Sequence, residues 1–444
     1  MTGTDILVLG GGLAGLAVAT ALGQHAIVLE RESRPGGLVR THERDGWWFD
    51  HVLHLLHFRD DCTKARLWPL LADVMQPCAP SAQVVTRAGV AGFPLQNHLG
   101  HLDEEVACAC LRELEERARV PSDPTLPANY RELLLQSFGP TLCGLFFFPY
   151  NSKAWCCDPS ELAASGFVWN LSTPDLDVAR RGAQRPPVAP PSYNSDAWYP
   201  RPAAGASKRG MEVLTQALTR QVPDLRLEHI VERVHVRERT VRVRTPAGTS
   251  HLVWRRRCVA TLPLPALVGL CDDVPEAITE AARALRHTRV VSVAVRVLGP
   301  RPTLGMWRYY PAQELVFTRL VFQHEFDPLM APPQGWPLLA EVPWPGHTPV
   351  PDDLASRVEC DARLAGVLGP EHHVLGAEVL LADPAYVVFT HGTGERVARI
   401  RQWLDAQGIE TVGRYGRWEY SSMAQVLRDG FALGDALAAH SAFQ

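Results

Sequence analysis

The sequence predicts an α/β fold, and three observations lead to this prediction. An apolar run, a glycine-rich turn and a second apolar stretch follow one another within the first 22 residues, as in nucleotide-binding βαβ units. Leu and Val recur at three- to four-residue spacing over parts of residues 61–185, which is typical of helices. Apolar and polar residues alternate in short runs between residues 286 and 389, which is typical of antiparallel strands.

The glycine-rich turn is the most informative stretch. Ile6 to Leu9 suits a buried parallel strand, and Leu13 to Leu22 suits a helix packed on it. Gly10, Gly12 and Gly15 between them form G-x-G-x-x-G. In such a motif the first glycine permits the tight turn, the second lets the backbone approach a pyrophosphate, and the third lets the helix lie close to the strand.

The next residues favour FAD over NAD. Ala26 to Leu29 supplies a second strand that ends on Glu30, an acid placed to bind ribose hydroxyls. A further glycine turn follows with Gly36 and Gly37, flanked by cations that include Arg40. This turn is similar to the extended motif of flavoproteins with two dinucleotide-binding domains. NAD, or a glycine-rich βαβ unit without a cofactor, are the alternatives.

Composition narrows the class of protein. The chain has 444 residues, 46% of them apolar and 21% charged, which is ordinary for a soluble globular protein of two or three domains. The net charge of −4 gives no reason to expect a nucleic acid partner. The longest apolar run, Leu142 to Phe148, is shorter than the ~20 residues of a membrane span. The glycine motif begins within ten residues of Met1, so we expect no signal peptide and a cytoplasmic protein.

Cysteine and histidine spacing gives no sign of a metal site. The ten cysteines include no C-x-x-C pair, so we expect reduced thiols. His54 and His57 form H-x-x-H, but no third ligand is near them in the sequence. They lie where a flavin ring should emerge from the nucleotide fold, on one helical face or across a loop. A flavin-side role and a role as hydrogen-bonded core histidines are both open.

The motifs also suggest a domain organisation. Residues 205–285 return to a nucleotide-binding pattern, and a run of helix formers from Met423 to His440 closes the chain. We therefore predict a discontinuous Rossmann-like FAD-binding domain (1–60, 205–285 and 390–444), a helical insertion (61–185) with a Pro-rich lid (180–203), and an antiparallel sheet substrate domain (286–389).

Several blocks occur in a recognisable order after the glycine turn. They are H-x-x-H at His54 and His57, Y-N-x-K-x-W from Tyr150 to Trp155, F-x-R from Phe317 to Arg319, and G-R-x-G-x-W-x-Y from Gly413 to Tyr420. This order resembles the UDP-galactopyranose mutase family, within the amine-oxidase-like FAD superfamily, nearly from end to end. The second and fourth blocks are the specific ones.

The resemblance implies a use of flavin without net redox. In the family, N5 of reduced FAD attacks the anomeric carbon of the sugar and displaces the nucleoside diphosphate. The adduct opens, recloses with another ring size, and the diphosphate reattaches, so the enzyme interconverts pyranose and furanose forms. The resemblance thus implies a nucleotide-sugar substrate and an external reductant such as NAD(P)H, and it is compatible with a homodimer.

The resemblance also assigns roles to individual residues. The implied catalytic residues are His54 and His57 beside the flavin, Arg319 and Tyr420 at the diphosphate, Tyr386 as the partner of Tyr420, and Arg414 near the reduced flavin. The implied substrate-binding residues are Tyr150, Asn151, Trp155, Arg319, Tyr386 and Tyr420. Those implied for the cofactor are Gly10, Gly12, Gly15, Glu30, Gly37, Arg40, Gly413 and Met423.

Other functions remain open at this point. The lid arginine of the family falls near Trp169, so Arg180, Arg181 or Arg185 would have to replace it. A flavin oxidoreductase of the amine-oxidase or protoporphyrinogen-oxidase kind would share the fold, and would not need Arg319 and Arg414 in one cavity. A flavin-binding scaffold without chemistry is the third reading.

Overall fold

The computed structural model describes residues 2–58, 60–119, 127–167, 174–186 and 196–439. Its strands are β1 Thr2–Leu9, β2 Ala26–Leu29, β3 Thr41–Arg44, β4 Trp47–Asp50, β5 Leu56–His57, β6 Met75–Cys78, β7 Ala82–Thr86, β8 Gly89–Gly92, β9 Ala197–Pro200, β10 Leu225–Arg226, β11 Ile230–His235, β12 Thr240–Thr245, β13 Gly248–Ala260, β14 Arg286–Leu298, β15 Trp307–Tyr309, β16 Arg319–Phe322, β17 Gly335–Pro345, β18 His373–Val388 and β19 Ile409–Thr411. Its α-helices are α1 Leu13–Leu22, α2 Asp61–Leu71, α3 Glu104–Ala118, α4 Tyr130–Leu142, α5 Phe148–Trp155, α6 Leu176–Gly182, α7 Glu212–Thr219, α8 Leu264–Leu270, α9 Glu276–Arg283, α10 Leu354–Leu364, α11 Thr393–Ala406, α12 Gly413–Gly416 and α13 Met423–Ala439.

The first sheet carries the glycine turn. Its strand order is β10-β2-β1-β13-β12-β11, with β19 beside β13. The central strands are parallel, whereas β12 and β11 are added antiparallel. Ile6 and Val8 face one buried cluster and Leu7 and Leu9 face another, so β1 is covered on both sides. Burial on both sides explains its unbroken apolar run, and the predicted α/β fold is confirmed.

The second sheet has the order β18-β14-β17-β16-β15-β7-β8. Its pairs are antiparallel apart from the parallel pair of β15 and β7. Helix α10 and the strand residues around Val293 share one buried cluster. Register places Arg319, the first residue of β16, opposite Glu341 of β17.

The region 61–185 is less helical than predicted. It contains β6, β7 and β8 among its helices, and β7 and β8 extend the second sheet. Val84 and Ala91 on these two strands are buried against the helices of the region, so the hairpin joins the sheet to the helical layer. The β-branched run Ala-Gln-Val-Val-Thr carried this signal, but the helical periodicity on either side obscured it.

The predicted Pro-rich lid over residues 180–203 is also partly regular. It begins in α6 and ends in β9, which pairs with β5 and β6. Gly182 at the end of α6 packs so closely that an added Cβ would lie 2.0 Å from the carbonyl oxygen of Asn97. Residues 187–195 and Trp169 lie outside the described residues.

Strand β18 was not predicted. Its side chains alternate between a buried and an exposed face, and Leu375, Val379 and Leu381 lie on the exposed face of this edge strand. Gly376 and Pro384 interrupt its sequence pattern. An edge strand tolerates both residue types better than a central strand does.

Helix α13 is held tightly against α1. A Cβ added to Gly430 would lie 2.8 Å from the Cβ of Ala17, and one added to Gly434 would lie 2.5 Å from the Cβ of Ala21. Only glycine allows this approach, so the contact fixes α13 and its first residue, Met423, relative to the glycine turn.

One helical segment, Tyr130–Trp155, has the length (26 residues) and mean hydropathy (1.2) of a membrane span, which the sequence analysis did not anticipate. Gly139 interrupts the segment with non-helical dihedral angles (φ 82°, ψ 165°), and Leu134, Phe138 and Leu142 pack in a protein core. Part of this segment therefore packs inside the protein.

Candidate active site

The turn between β1 and α1 is free of side chains where it meets the second glycine turn. Gly10 has a φ of 103°, and an added Cβ would lie 2.2 Å from Oγ1 of Thr261. Gly12 and Gly37 face each other, since a Cβ added to Gly37 would lie 3.2 Å from the Cα of Gly12. At Gly15, an added Cβ would lie 1.9 Å from the carbonyl oxygen of Gly10. The predicted glycines therefore form one cradle of bare backbone.

Glu30 borders this cradle. Its Oε2 accepts a hydrogen bond of 2.8 Å from the N–H of Gly11, and its Oε1 accepts one of 2.9 Å from the N–H of Glu32. Arg40 lies on the other side, where its Nε donates to the carbonyl of Gly37 over 2.9 Å. A carboxylate and a guanidinium are thus fixed at the two glycine turns.

The third edge of the cradle comes from the end of the chain. Gly413 opens α12 with a φ of 79°, and an added Cβ would lie 2.6 Å from the Cβ of Ala14. Ser422 and Gln425 bond to each other's backbone N–H groups (3.3 and 2.9 Å) and cap α13 before the buried Met423. The N-terminus of this long helix favours negative charge.

Arg414 is the central cation of a group of side chains beside the cradle. We call this group the wall, and its members are Tyr150, Trp155, Tyr309, Arg319, Glu341, Tyr386, Arg414, Tyr415 and Tyr420. Its Nη2 donates to the carbonyl of Ala385 over 3.1 Å, and its buried Nε has no partner among the described residues. Its guanidinium carbon lies 5.5, 5.8 and 4.3 Å from the ring centres of Tyr386, Tyr415 and Tyr420. Within the described chain no carboxylate forms an ion pair with it. Burial opposes its charge, yet the three tyrosines outweigh this effect and raise the pKa of Arg414.

Arg319, by contrast, is already paired. Its Nε donates to Oε2 of Glu341 over 2.8 Å, and its Nη2 donates to the same oxygen. Glu341 is only 3% exposed, and its Oε1 accepts the N–H of Leu53 over 2.7 Å. Burial would lower the pKa of Arg319, but the charge of Glu341 holds it well above its ordinary value. Any anion that Arg319 bound would therefore share this guanidinium with Glu341.

Aromatic side chains connect the two arginines. The rings of Tyr386 and Tyr420 stack at 6.4 Å with an interplanar angle of 6°, and Trp155 meets Tyr386 edge-on at 5.6 Å. Tyr150 meets Tyr309 edge-on at 5.4 Å. Burial raises the pKa of Tyr150 and of Tyr386, with Arg319 opposing the rise in both. These hydroxyls are neutral hydrogen-bond donors at ordinary pH.

His54 faces the same two arginines. It lies in the loop between β4 and β5, and its buried Nδ1 has no partner among the described residues. Burial, with Arg414 next and Arg319 as a smaller cause, lowers the pKa of His54 to about 3. The imidazole is therefore neutral. His57 instead lies in β5 opposite Ala197, so the two histidines share no helical face.

Asn151 supports the site from behind. Its Oδ1 accepts from Nε1 of Trp155 (3.1 Å) and from the hydroxyl of Tyr130 (3.3 Å), and its Nδ2 donates to the carbonyl of Phe147 (2.7 Å). These contacts fix the indole of Trp155. The structure thus gives Asn151 a supporting contact, whereas a substrate contact was expected.

Three residues of the wall were missed in the sequence. Glu341 had a recognisable signal, because it is a charged residue within the apolar run Leu338 to Val342. Tyr309 and Tyr415 had none, since isolated tyrosines in short elements are common. The proposed lid arginines lie elsewhere: Arg180 pairs with Glu115, and Arg185 donates to the carbonyl of Leu102.

A possible metal-ligand group lies on the first sheet. Among the described residues, His235, Glu238 and Asp272 come close enough together to share an ion. Nδ1 of His235 is already 2.6 Å from Oδ2 of Asp272, and Arg237 pairs with the adjacent Asp273. A salt-bridged surface hairpin accounts for this group. All ten cysteines are free thiols.

The fold and the cradle define a dinucleotide-binding enzyme with a polar cavity wall. The sequence pattern of the flavin containing amine oxidoreductases matches residues 13–308, and the chain belongs to this family. It is an FAD-dependent enzyme of the amine oxidase superfamily. The bare glycine cradle, the carboxylate at Glu30, and the Nε of Arg414 and Nδ1 of His54, which have no partner among the described residues, all fit this cofactor.

Solved structures agree on the fold. The chain is similar to reduced UDP-galactopyranose mutase, with a TM-score of 0.87 and 20% identity over 98% of this chain and 94% of that one. A putative protoporphyrinogen oxidase from Exiguobacterium gives 0.73 and 17% (98% and 99% covered). Cyclohexylamine oxidase from Brevibacterium oxydans gives 0.65 and 14% (99% of each). The curated protein sequences include no match.

Proposed function

We propose that this enzyme is a flavin-dependent mutase that interconverts pyranose and furanose forms of a nucleoside-diphosphate sugar without net redox. The observation that carries the proposal is Arg414. It is a partly buried cation beside the cradle, without a carboxylate partner among the described residues and with three tyrosine rings around its guanidinium. Such a group needs an anion to complete it.

The residues that would hold FAD are those of the cradle. Gly10, Gly12, Gly15 and Gly37 would admit the pyrophosphate, Glu30 the ribose hydroxyls, and Arg40, Gly413 and Met423 the remaining edges. Reduced FAD, when bound, supplies a nucleophile for the anomeric carbon of the sugar. Arg414 would stabilise the negative charge of the reduced cofactor.

The remaining wall residues would bind the diphosphate and the sugar. Tyr386 and Tyr420 present hydroxyl groups beside Arg414, and such donors suit phosphate oxygens. Trp155 offers an apolar face for the sugar, and Tyr150 closes the wall near Arg319. Neutral His54 would donate or accept one hydrogen bond without adding charge.

The charge of the cavity argues against an amine substrate. Arg319 and Glu341 cancel, and Arg414 leaves a net positive charge next to the tyrosines. A protonated amine would be repelled by this charge, whereas a diphosphate would be attracted. An oxidoreductase of the superfamily acting on another substrate is the second candidate, favoured by the similarity to solved oxidases.

The decisive experiment uses the FAD-loaded protein reduced with dithionite. Nucleoside-diphosphate hexoses, deoxyhexoses and pentoses are added, and products of altered ring size are separated by chromatography. Ring interconversion by the reduced protein alone is the expected result. Turnover by the oxidised protein with oxygen consumption, and none by the reduced protein, would favour the oxidoreductase. NAD(P)H is then tested as the external reductant, and sedimentation tests for a homodimer.

A further inference from the structure

Lys153 makes an unusual set of contacts. Its ammonium donates to four main-chain carbonyls, those of Tyr310 (3.2 Å), Ala312 (2.8 Å), Leu315 (2.8 Å) and Phe317 (2.7 Å). All four belong to the loop of residues 310–318 that joins β15 to β16. In the described part of the chain no carboxylate forms an ion pair with Lys153, so the carbonyls alone accept its protons.

The loop is shaped around this ammonium. The N–H of Tyr310 donates to the carbonyl of Thr318 over 2.8 Å and closes the loop at its base. An ammonium has three hydrogens that can point in separate directions, whereas four carbonyls turned inward would repel one another without a cation. Lys153 therefore stabilises a conformation that the residues of this loop would not maintain without the ammonium.

Both elements joined by Lys153 carry wall residues. Helix α5 holds Tyr150 and Trp155, which contact Tyr309 and Tyr386. The loop is followed directly by Arg319 at the start of β16. Lys153 lies on the same helix as the two aromatic residues and contacts the loop instead of the cavity. Gln313 adds a second link, because its Nε2 donates to the carbonyl of Pro149 over 2.9 Å.

We propose that Lys153 is a positioning residue that fixes α5 relative to β16, and thereby sets the separation between the aromatic side and the Arg319 side of the cavity. The inference rests on the proposed function only in that the cavity binds a nucleoside diphosphate. Misplacing either side would weaken ligand binding before it affected the flavin, because the cradle is built from other elements.

The test compares Lys153→Met with Lys64→Met as the matched control. Lys64 is also partly buried, but its ammonium lies over the rings of Phe58, Trp68 and Trp198. Amide hydrogen exchange of the FAD-loaded proteins is measured by mass spectrometry, together with the dissociation constant for UDP.

We expect Lys153→Met to retain FAD, to exchange the amides of residues 310–318 about tenfold faster, and to bind UDP about tenfold more weakly. Lys64→Met should leave both measurements unchanged. Lys153→Arg, which keeps the charge but has a planar set of donors, should give intermediate values and serves as the second variant if Lys153→Met does not fold.

Unchanged exchange in residues 310–318, or an unchanged UDP dissociation constant in a variant with faster exchange, would overturn the proposal. Faster exchange spread over the whole chain would also overturn it, because it would indicate a general loss of stability. If the unsubstituted protein bound none of UDP, ADP, GDP and dTDP, the proposed function would fail, while the exchange data would still decide whether Lys153 fixes the loop.

Discussion

The guanidinium carbon of Arg414 lies 4.3 Å from the centre of the Tyr420 ring. Arg414 follows the glycine that approaches α1, and Tyr420 lies two residues before the cap of α13. The contact therefore joins the cofactor cradle to the cavity wall. A ligand bound beside the flavin would therefore meet this pair.

Replacing Arg414 by Met should lower both anion binding and the flavin potential. Loss of a charge-assisted contact is worth about 1.5–3 kcal/mol, or roughly a 10- to 100-fold loss of affinity for UDP. The two-electron midpoint potential of the bound flavin should fall, because the anionic reduced form loses its cation. Calorimetry and redox titration measure the two effects.

Arg66→Met is the control for this substitution. Arg66 also stacks on an aromatic ring, that of Phe431 at 4.6 Å, and pairs with Asp435 on the surface. The Arg66→Met substitution should leave the UDP affinity and the midpoint potential of the flavin unchanged. If the flavin of Arg414→Met kept the midpoint potential of the unsubstituted protein, the placement of Arg414 beside the flavin would be contradicted.

Replacing two glycines of the first turn by Ala should affect FAD binding and stability differently. A Cβ on Gly12 would meet nothing closer than 3.7 Å, so Gly12→Ala should fold but lose FAD, because the methyl group occupies the cradle. A Cβ on Gly10 would lie 2.2 Å from Oγ1 of Thr261 at a positive φ, so Gly10→Ala should lose stability as well. Flavin absorbance and urea unfolding separate the two outcomes. Full FAD occupancy in Gly12→Ala would contradict the cradle.

Glu341→Gln should lower the stability of the protein and raise its affinity for anions. The change leaves Arg319 without its carboxylate, which should cost about 3 kcal/mol of unfolding free energy; this is near the low end for buried pairs, because Arg319 keeps 16% exposure. The cavity gains one positive charge, so UDP should bind more tightly. Urea unfolding and calorimetry test the two effects.

The double variant Arg319→Met with Glu341→Met is the matched comparison for Glu341→Gln. It removes both charges, so it should recover stability but bind UDP no more tightly than the unsubstituted protein. Weaker UDP binding by Glu341→Gln than by the unsubstituted protein would contradict the assigned role of this pair.

Asp50 should make stability depend on pH. Its carboxylate accepts from Oγ1 of Thr41 (2.7 Å), the hydroxyl of Tyr199 (2.6 Å) and the N–H of Met211 (2.9 Å), yet burial outweighs these bonds and raises its pKa to about 6. The native state then binds more protons than the unfolded state between about pH 4 and 6, so the contribution of Asp50 to stability falls as pH rises.

Asp50→Asn tests this directly. The unfolding free energy of Asp50→Asn minus that of the unsubstituted protein should increase by about 3 kcal/mol from pH 4 to pH 6.5 and then level off. Urea unfolding across this range measures it. Parallel curves for the two proteins would show that the pKa of Asp50 is the same in the folded and unfolded states.

The sequence by itself determined the local elements and the cofactor. The apolar run of β1, the glycines and helix α1 are read directly from neighbouring residues, because strand burial and tight turns depend on local pattern. The resemblance to the mutase family also brought Arg319, Arg414, Tyr386 and Tyr420 forward as candidates. These four lie together in the folded chain.

Only the tertiary structure decided the electrostatics of the wall. Arg319 and Glu341 are 22 residues apart and meet through the register of β16 and β17, so a carboxylate neutralises the charge of Arg319. The four carbonyls around Lys153 come from a loop more than 150 residues later. Register and loop packing bring distant residues together, and no local pattern encodes which charges are paired. The tertiary structure therefore leaves Arg414 as the cation that lacks a carboxylate in this wall.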